Sequence, residues 1–204
     1  MTGAELVAFA RGKLKTPYVY GMKGAVMTAA NYAYLKRAYG NYVWESDRKK
    51  IGMVCVDCSG LISWATGRKL GSAQLFARAI RKEPITTIAT APIGALVWRK
   101  GHVGIYSGTK KGLPFYIAAD GSAFGVREVP LSENAFSHWL LMDGMVYEED
   151  EMVEREKLIV DEEVFMVDII RKDGVTYIKT RDIAEILGLD VSNQGKTPVL
   201  AHKK

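Results

Sequence analysis

The sequence predicts an α+β protein in which N-terminal helices pack on an antiparallel sheet. Apolar residues recur at helical spacing in residues 4–14 and again after Cys58. From Pro92 onward, apolar and polar residues alternate with a period of two, in short runs separated by glycines. Because the helices come first and the strands follow with short connections, we expect neighbouring strands to pair antiparallel.

The predicted helices occupy the first 83 residues, and each ends at a glycine or before a proline. They are residues 4–14, ended by Pro17; Ala25–Tyr39, ended by Gly40; a helix from Cys58 through Ala65, ended by Gly67; and residues 72–83, ended by Pro84. Between the first two, Tyr18 and Tyr20 lie two apart in an extended segment and should share one face.

The predicted strands of the sheet follow in close succession. They are residues 95–98, 102–107, 115–120 and 124–129. The first two should form a hairpin about Arg99-Lys100-Gly101, and Gly121-Ser122 should connect the last two.

An acidic segment separates this region from a second, smaller one. Nine Asp and Glu residues precede Val164 from Glu148 onward, against Arg155 and Lys157. Such a block is typical of a solvated linker, so the predicted organisation is a domain at 1–143, a linker at 144–163 and a small domain at 164–204. Strand, turn and helix patterns predict a ββαββ order for the small domain, with a hairpin turn at Lys172-Asp173-Gly174 and a second turn at Asn193-Gln194-Gly195.

Cys58 is the strongest candidate for a catalytic residue. It lies in Val56-Asp57-Cys58-Ser59-Gly60, where a turn should deliver the thiol to the first turn of a helix. The helix dipole and unpaired N–H groups at that position favour the thiolate, which is the nucleophilic form. We therefore expect a thiol with a lowered pKa.

Three histidines are available as a base for this thiol. His102 lies on a predicted strand between two glycines, which leave room for a group to approach its ring. His138 is expected to be packed beside the sheet, and His202 should be frayed at the chain end. A cysteine at a helix start with a histidine on a later strand indicates a Cys–His hydrolase.

Three motifs in order resemble the NlpC/P60 family of cell-wall cysteine peptidases. They are Thr16-Pro17-Tyr18-Val19-Tyr20-Gly21, Asp57-Cys58-Ser59-Gly60 and Gly101-His102-Val103-Gly104-Ile105-Tyr106. The resemblance covers roughly residues 5–143. It implies a papain-like fold and cleavage of peptidoglycan stem peptides, at the bond between D-γ-glutamate and the diamino acid. It also implies that the Tyr18 hydroxyl faces substrate.

The residues beside Cys58 are candidates for substrate binding. Asp57 and Ser59 could hold a free amine or carboxylate of the substrate, or Asp57 could cap the helix and Ser59 could occupy its first turn. Residues 22–54 are longer than the connection usual in the family. We favour a wall of the substrate groove over a surface insertion for them, since loops on a fixed scaffold often carry specificity.

The third catalytic position of the family falls on Ala118, which cannot orient an imidazole. Three explanations remain open. Asp120, on the same strand face, could reach His102 directly or through water. Cys58 and His102 could act as a dyad. Alternatively, Ala118 could be a substitution introduced to inactivate the protein.

Cys55 and Cys58 also form a Cys-x-x-Cys motif. A zinc site would need a second ligand pair, which the sequence lacks, and a redox pair would need a thioredoxin-like βαβ context. The motif is therefore expected to be incidental. The Cys–His chemistry requires neither a metal nor another cofactor.

Charge is divided unevenly along the chain. Residues 1–147 hold 19 Lys and Arg against 9 Asp and Glu, whereas residues 148–204 hold 9 against 14. A basic catalytic half would be attracted to an anionic polymer such as the bacterial wall. Equally, the scattered Lys and Arg could simply keep the surface soluble, and charge alone does not decide between the two. The basic residues are dispersed and no recognition motif appears, so nucleic acid is not expected as a partner.

The N-terminal residues predict an amphipathic helix and not a signal peptide. They have no basic segment and carry Glu5. No apolar run approaches the ~18–20 residues of a membrane span, so we expect no membrane insertion. The protein should be made in the cytoplasm and act at the cell wall after release, as a phage endolysin does.

The small domain offers a weaker resemblance. Gly174-Val175-Thr176-Tyr177-Ile178-Lys179 through Arg181-Asp182 is similar to the N-terminal stalk domain of some copper amine oxidases. No set of histidine ligands for copper accompanies it. This domain is expected to bind wall polymer or to form homo-oligomers.

Two other functions remain open for the first domain. It could be a catalytically impaired NlpC/P60 fold that binds peptidoglycan without cleaving it, in which case Ala118 would mark the lost activity. It could also act as an amidase or acyltransferase on another substrate.

Overall fold

The computed structural model describes residues 1–147, 154–172, 175–195 and 197–202. The chain divides into two compact units, Met1–Glu149 and Asp150–Lys204. The first unit is α+β with antiparallel sheets, as the sequence predicts. No helix in the described part of the chain is long and apolar enough to span a membrane.

The helices of the first unit lie close to their predicted positions. They are α1 (Gly3–Arg11), α2 (Ala29–Tyr39), α3 (Cys58–Thr66) and α4 (Ser72–Arg78). A capping box of Thr2 and Glu5 begins α1. Gly67, in the left-handed conformation at φ 71°, ends α3.

The strands of the first unit form two antiparallel sheets. A two-stranded sheet pairs β1 (Lys23–Val26) with β2 (Val54–Val56). A six-stranded sheet has the order β3-β8-β4-β5-β6-β7. Its strands are β3 (Ala79–Pro84), β4 (Leu96–Arg99), β5 (His102–Lys110), β6 (Leu113–Ala119), β7 (Val126–Pro130) and β8 (His138–Met142). The predicted hairpin of β4 and β5 is confirmed.

The two faces of the larger sheet bury different clusters, because strand side chains alternate between faces. Val103, Ile105 and Ile117 pack with Leu61 and Ile62 of α3 and with the buried residues of α1. On the opposite face, Tyr106, Tyr116 and Ala118 pack with Phe136 and Trp139. N-terminal helices therefore pack on the antiparallel sheet, as predicted.

Three predicted helices are too long. The helix expected over residues 4–14 ends at Arg11, and strand pairing replaces part of the other two. The helix expected from Ala25 begins at Ala29, and β1 occupies the preceding residues. The helix expected over residues 72–83 ends at Arg78, after which β3 pairs with β8. In both segments, hydrogen bonds to a distant strand outweigh the local helical pattern.

The second unit has one strand more than the predicted ββαββ order. The three-stranded antiparallel sheet β11-β10-β9 is followed by a helix and a hairpin. The elements are β9 (Glu154–Val160), β10 (Glu163–Lys172), β11 (Val175–Ile178), α5 (Thr180–Ile186), β12 (Leu189–Gln194) and β13 (Thr197–His202).

The additional strand β9 lies in the segment predicted to be a linker. Its Glu154 and Glu156 both form ion pairs with Arg171 on β10. The acidic residues are therefore compatible with strand pairing, which corrects the linker prediction for residues 154–163. Of the predicted turn at 172–174, residues 173 and 174 lie outside the described residues. His202 is paired with Leu189 and is not frayed.

Candidate active site

The thiol of Cys58 stands at the start of α3, as the sequence predicts. Strand β2 ends at Val56, Asp57 is the N-cap, and Cys58 is the first helical residue. The Asp57 carboxylate accepts a hydrogen bond from the backbone N–H of Gly60. This cap satisfies one of the N–H groups that a helix start leaves unpaired.

Gly60 allows the first turn of α3 to approach the backbone at Met22. A Cβ on residue 60 would stand 2.2 Å from the Met22 carbonyl oxygen. The same carbonyl accepts a hydrogen bond from the Asp57 backbone N–H. The helix start and the segment before β1 are therefore locked together by backbone contact.

Replacing Gly60 with alanine is expected to lower the free energy of unfolding by about 1–3 kcal/mol, because the added methyl overpacks against backbone. Urea denaturation measures this change. Gly71→Ala is the comparison variant, since a Cβ there meets nothing nearer than 3.8 Å. It should cost less than Gly60→Ala, because only the preference of the α4 N-cap for glycine over alanine is lost. Equal stabilities for the two variants would contradict the close approach at Met22.

Cys58 lies against the strand that carries His102. It shares a buried cluster with Val103, the next residue of β5, and the Val103 backbone is close enough to lower the pKa of the thiol. Cys58 is 7% exposed. Cys58 thus packs beside the strand that begins with His102.

The pKa of Cys58 differs from the sequence-based expectation. Burial, followed by the negative charge of Asp57, raises the pKa of the Cys58 thiol to about 11. The N–H groups of Val103 and Ser59 act in the opposite direction but are outweighed. The expected lowering of this pKa is therefore wrong for the free protein, because removal from water disfavours the charged form more than the helix start favours it.

Alkylation of Cys58 by iodoacetamide should accordingly accelerate about tenfold per pH unit from pH 7 to 9.5, since only the thiolate reacts. The expected profile has no plateau in this range. Mass spectrometry of a Cys55→Ala variant would follow the label on Cys58 alone. A plateau below pH 8 would show a preformed thiolate and contradict the raised pKa.

His102 is held by Asp120 on the neighbouring strand. The Nε2 atom of His102 is 2.9 Å from Oδ1 of Asp120. The β5–β6 register pairs Ile105 with Ile117, and continuing it places His102 directly opposite Asp120. The imidazole also stacks on Phe136, with ring centroids 5.7 Å apart.

Asp120 is a buried carboxylate with three hydrogen-bond donors. Besides His102, it accepts from the Tyr116 hydroxyl at 2.8 Å and from Nε of Arg127 at 2.7 Å. Burial alone would raise the pKa of Asp120, but the hydrogen bonds from His102, Tyr116 and Arg127 outweigh it and hold this pKa below its usual value. The carboxylate is therefore ionised at neutral pH.

An ionised Asp120 fixes the tautomer of a neutral His102. A carboxylate only accepts hydrogen bonds, so Nε2 must carry the proton and Nδ1 must hold the free lone pair. Within residues 1–147 we find no hydrogen-bond partner for this Nδ1 atom. It is free to accept a proton.

The geometry distinguishes among the explanations for Ala118. Direct contact between Asp120 and His102 is observed. Ala118 is fully buried in the cluster around Tyr116 and Trp139. Its Cβ would be 3.3 Å from a Cβ built on Gly104, so Ala118 faces the middle of β5 and not the histidine.

Tyr18 lies near the thiol, whereas Asp57 and Ser59 are engaged with the protein itself. Burial, then the charge of Cys58, raises the pKa of Tyr18. Asp57 and Ser59 are buried and share a hydrogen bond of 3.0 Å. The ammonium of Lys23 contacts both of them. The helix-cap interpretation of Asp57 is thus the one observed.

Three residues of the site were not singled out from the sequence. Tyr116 and Arg127 hold Asp120, and Lys23 pairs with Asp57. Tyr116 could have been found, since it lies on the same face of one strand as Asp120. Arg127 and Lys23 depend on strand registers that the sequence pattern does not reveal.

The remaining candidate residues lie apart from this constellation. The ring of His138 is 5.3 Å from Phe76 and 6.1 Å from Trp98, in an aromatic cluster. Cys55 is fully buried with Val19 and Met27, and both cysteines are free thiols. The described residues contain no group of three or more His, Cys, Asp or Glu side chains that could hold a metal ion.

An aromatic surface adjoins the site. Tyr20 contacts Tyr39 and stacks on Tyr42, with centroids 5.1 and 4.9 Å apart. Burial raises the pKa of Tyr20, and the nearby charges of Asp57 and Cys58 add to the rise. Tyr42 is 68% exposed. The segment between Tyr20 and β2 therefore presents aromatic rings to solvent beside the thiol.

Comparisons with known proteins identify similar structures only. The chain matches no protein-family model and no curated protein. It is similar to the NlpC/P60 domain of the peptidoglycan hydrolase SagA, with 24% identity over 70% of this chain and 100% of that chain, at a TM-score of 0.44. It is also similar to the P60 domain of an antigen from M. avium subspecies paratuberculosis, with 18% identity over 69% of this chain and 96% of that chain, at a TM-score of 0.44.

Proposed function

We propose that the first unit is a cysteine peptidase that cleaves the stem peptides of bacterial peptidoglycan. The observation that carries the proposal is the His102–Asp120 pair at the start of the strand whose next residue, Val103, packs in one buried cluster with Cys58. A thiol, a base with a free nitrogen and a buried carboxylate that orients this base are the parts that nucleophilic acyl transfer requires.

In the first step, Nδ1 of His102 takes the proton of the Cys58 thiol as the sulfur attacks the scissile carbonyl carbon. The backbone N–H of Cys58 donates to the resulting oxyanion. When this tetrahedral intermediate collapses, His102 gives its proton to the leaving amine and an acyl thioester remains on Cys58.

In the second step, water hydrolyses the thioester. His102 removes a proton from the water, and the hydroxide adds to the thioester carbonyl. The carbon–sulfur bond then breaks, and the thiolate regains its proton from His102. The enzyme is restored, and the released peptide carries a new carboxylate.

The raised pKa of Cys58 implies that the thiol proton moves to His102 during the attack on substrate and not before it. With a pKa of about 11, the resting enzyme carries a neutral thiol at pH 7. His102 must therefore act as a general base during the attack, and the enzyme does not store a thiolate–imidazolium pair. Asp120 stabilises the imidazolium that forms.

The proposed substrate follows from the surface around the site and from the sequence motifs. Exposed tyrosines beside the thiol provide a wall for a peptide strand. The motifs resemble those of NlpC/P60 peptidases, which indicates the D-γ-glutamyl–diamino acid bond. The excess of Lys and Arg in residues 1–147 favours encounter with an anionic wall.

The proposal extends to the setting in which the enzyme works. We propose that the protein acts at the wall after release, as a phage endolysin does. The second unit would bind wall polymer or mediate self-association.

Digestion of purified Gram-positive peptidoglycan tests the proposed activity. Mass spectrometry of the soluble products should show peptides whose new amino terminus is the diamino acid, while the γ-glutamate end stays on the glycan. Cys58→Ala protein should release none. Fragments cut at another amide bond would assign a different specificity. If the wild type sediments with the wall and releases nothing, the peptidase function is wrong and a binding module remains.

A further inference from the structure

We propose that Lys23 closes the acidic pocket beside Cys58 to cationic groups, so that the enzyme acts on peptides whose amino end is acylated and not on peptides with a free terminal amine nearby. This inference rests on the proposed peptidase function and assigns its substrate class. It concerns the pocket of Asp57 and Ser59, the residues on either side of the nucleophile.

The Lys23 ammonium occupies the polar atoms of Asp57 and Ser59 that a substrate amine would use. Its Nζ atom lies 3.0 and 3.1 Å from the two oxygens of Asp57 and 2.8 Å from Oγ of Ser59. An ammonium has three donors, and three acceptors surround it here. Lys23 therefore occupies the place that a substrate amine would need.

The Asp57 carboxylate has no capacity left for a second cation. One oxygen also accepts from the Ser59 hydroxyl and the Gly60 N–H, and the other accepts from the Gly21 N–H at 2.9 Å. Its side chain is 8% exposed. One cation already balances its single charge, so a second ammonium would find no net attraction to offset the loss of its hydration in a partly dry site.

The backbone holds Lys23 in this position. Strand β1 pairs Lys23 with Val56, the residue before Asp57. Gly24 follows at φ +88°, and a Cβ there would stand 2.2 Å from the Trp64 ring. The pairing with Val56 and the close approach of Gly24 to Trp64 fix the backbone of β1. This backbone directs the Lys23 side chain towards Asp57, in addition to the attraction between their charges.

The pocket lies next to the reacting atoms. Asp57 and Ser59 flank Cys58 in sequence, and Lys23 is close enough to Cys58 to act on its charge. A substrate terminus within a residue or two of the scissile bond would therefore reach Lys23. In the intact wall, stem peptides are joined to the glycan through an amide, so their amino ends are neutral. This pocket suits such stems and disfavours peptides already released from the glycan.

Two synthetic stem peptides that differ only in N-acetylation test the assignment. For the wild type, kcat/KM should be at least tenfold higher for the acetylated peptide. Lys23→Met removes the cation and exposes the Asp57 carboxylate, so the ratio should shift at least tenfold towards the free amine. Lys23→Arg keeps the charge, and Lys69→Met changes an exposed lysine elsewhere; neither should move the ratio by more than twofold.

Binding measured by calorimetry on a Cys58→Ala background gives the same comparison without turnover. Circular dichroism of each variant verifies that it is folded. An unchanged ratio in Lys23→Met, or a wild-type preference for the free amine, overturns the Lys23 assignment. If the peptides bind with the expected ratio but the wild type cleaves neither, only the peptidase function is overturned. If neither peptide binds, both proposals are overturned.

Discussion

Cys58→Ala is expected to reduce the rate of stem-peptide cleavage by at least about 10⁴-fold, because no other group can form the thioester and removal of a nucleophile eliminates covalent catalysis. The measurement is the initial rate of release of new amino groups from peptidoglycan. Thermal unfolding should show that the variant is folded, since alanine fits the volume left by the buried thiol.

Cys55→Ala is the matched control for this experiment. Cys55 is also buried, but it packs with Val19 and Met27, in a different cluster from the one that joins Cys58 to Val103. Its replacement should leave kcat within about threefold, whatever its effect on stability, since it touches no reacting atom. Equal losses in the two variants would show that Cys58 is not the nucleophile.

Asp120→Asn is expected to lower kcat by about 10²–10⁴-fold, with little change in KM, because it reverses the tautomer of His102. Tyr116 and Arg127 both donate to one oxygen of Asp120, so the asparagine carbonyl must face them. Its NH₂ group then points at Nε2 of His102. Nε2 becomes an acceptor, Nδ1 carries the proton, and the base can no longer take a proton from Cys58.

Nitrogen NMR of His102 distinguishes this effect from a structural one. The wild type should show a protonated Nε2 and a bare Nδ1 in the neutral ring, and Asp120→Asn should show the reverse. Glu128→Gln is the control, since Glu128 pairs with Arg11 and Lys110 and not with His102. A full rate in Asp120→Asn would mean that Cys58 and His102 act as a dyad.

The position of Cys58 could be predicted because it depends on local signals. Asp57 is a good N-cap, Gly67 a good C-terminal stop, and the apolar residues between them have helical spacing. These signals act within a few residues of one another. The helix therefore begins at Cys58 as expected, and the period-two alternation after Pro92 gives the strands that follow.

The orienting group of His102 was only partly predictable. The sequence placed Asp120 on the same strand face as Ala118, which made it one of three explanations. The β5–β6 register decides for direct contact. A register is set by pairing across the whole sheet, and a shift of one residue would turn every side chain of β6 to the other face.

The protonation of Cys58 could not be read from its position in a helix. The helix start favours the thiolate, but packing against Val103 and the sheet removes the sulfur from water. Desolvation depends on how many residues surround the group, and most of them are distant in sequence.

The sequence by itself thus determined an α+β layout with Cys58 at a helix start and His102 on a following strand, because capping and periodicity are local. The tertiary structure alone decided that Lys23 neutralises Asp57, that Arg127 and Tyr116 hold Asp120, and that β3 and β9 are strands. Each of these depends on which strands pair and in which register. Pairing is a property of the whole packed chain, since its energy comes from neighbours that the sequence does not place side by side.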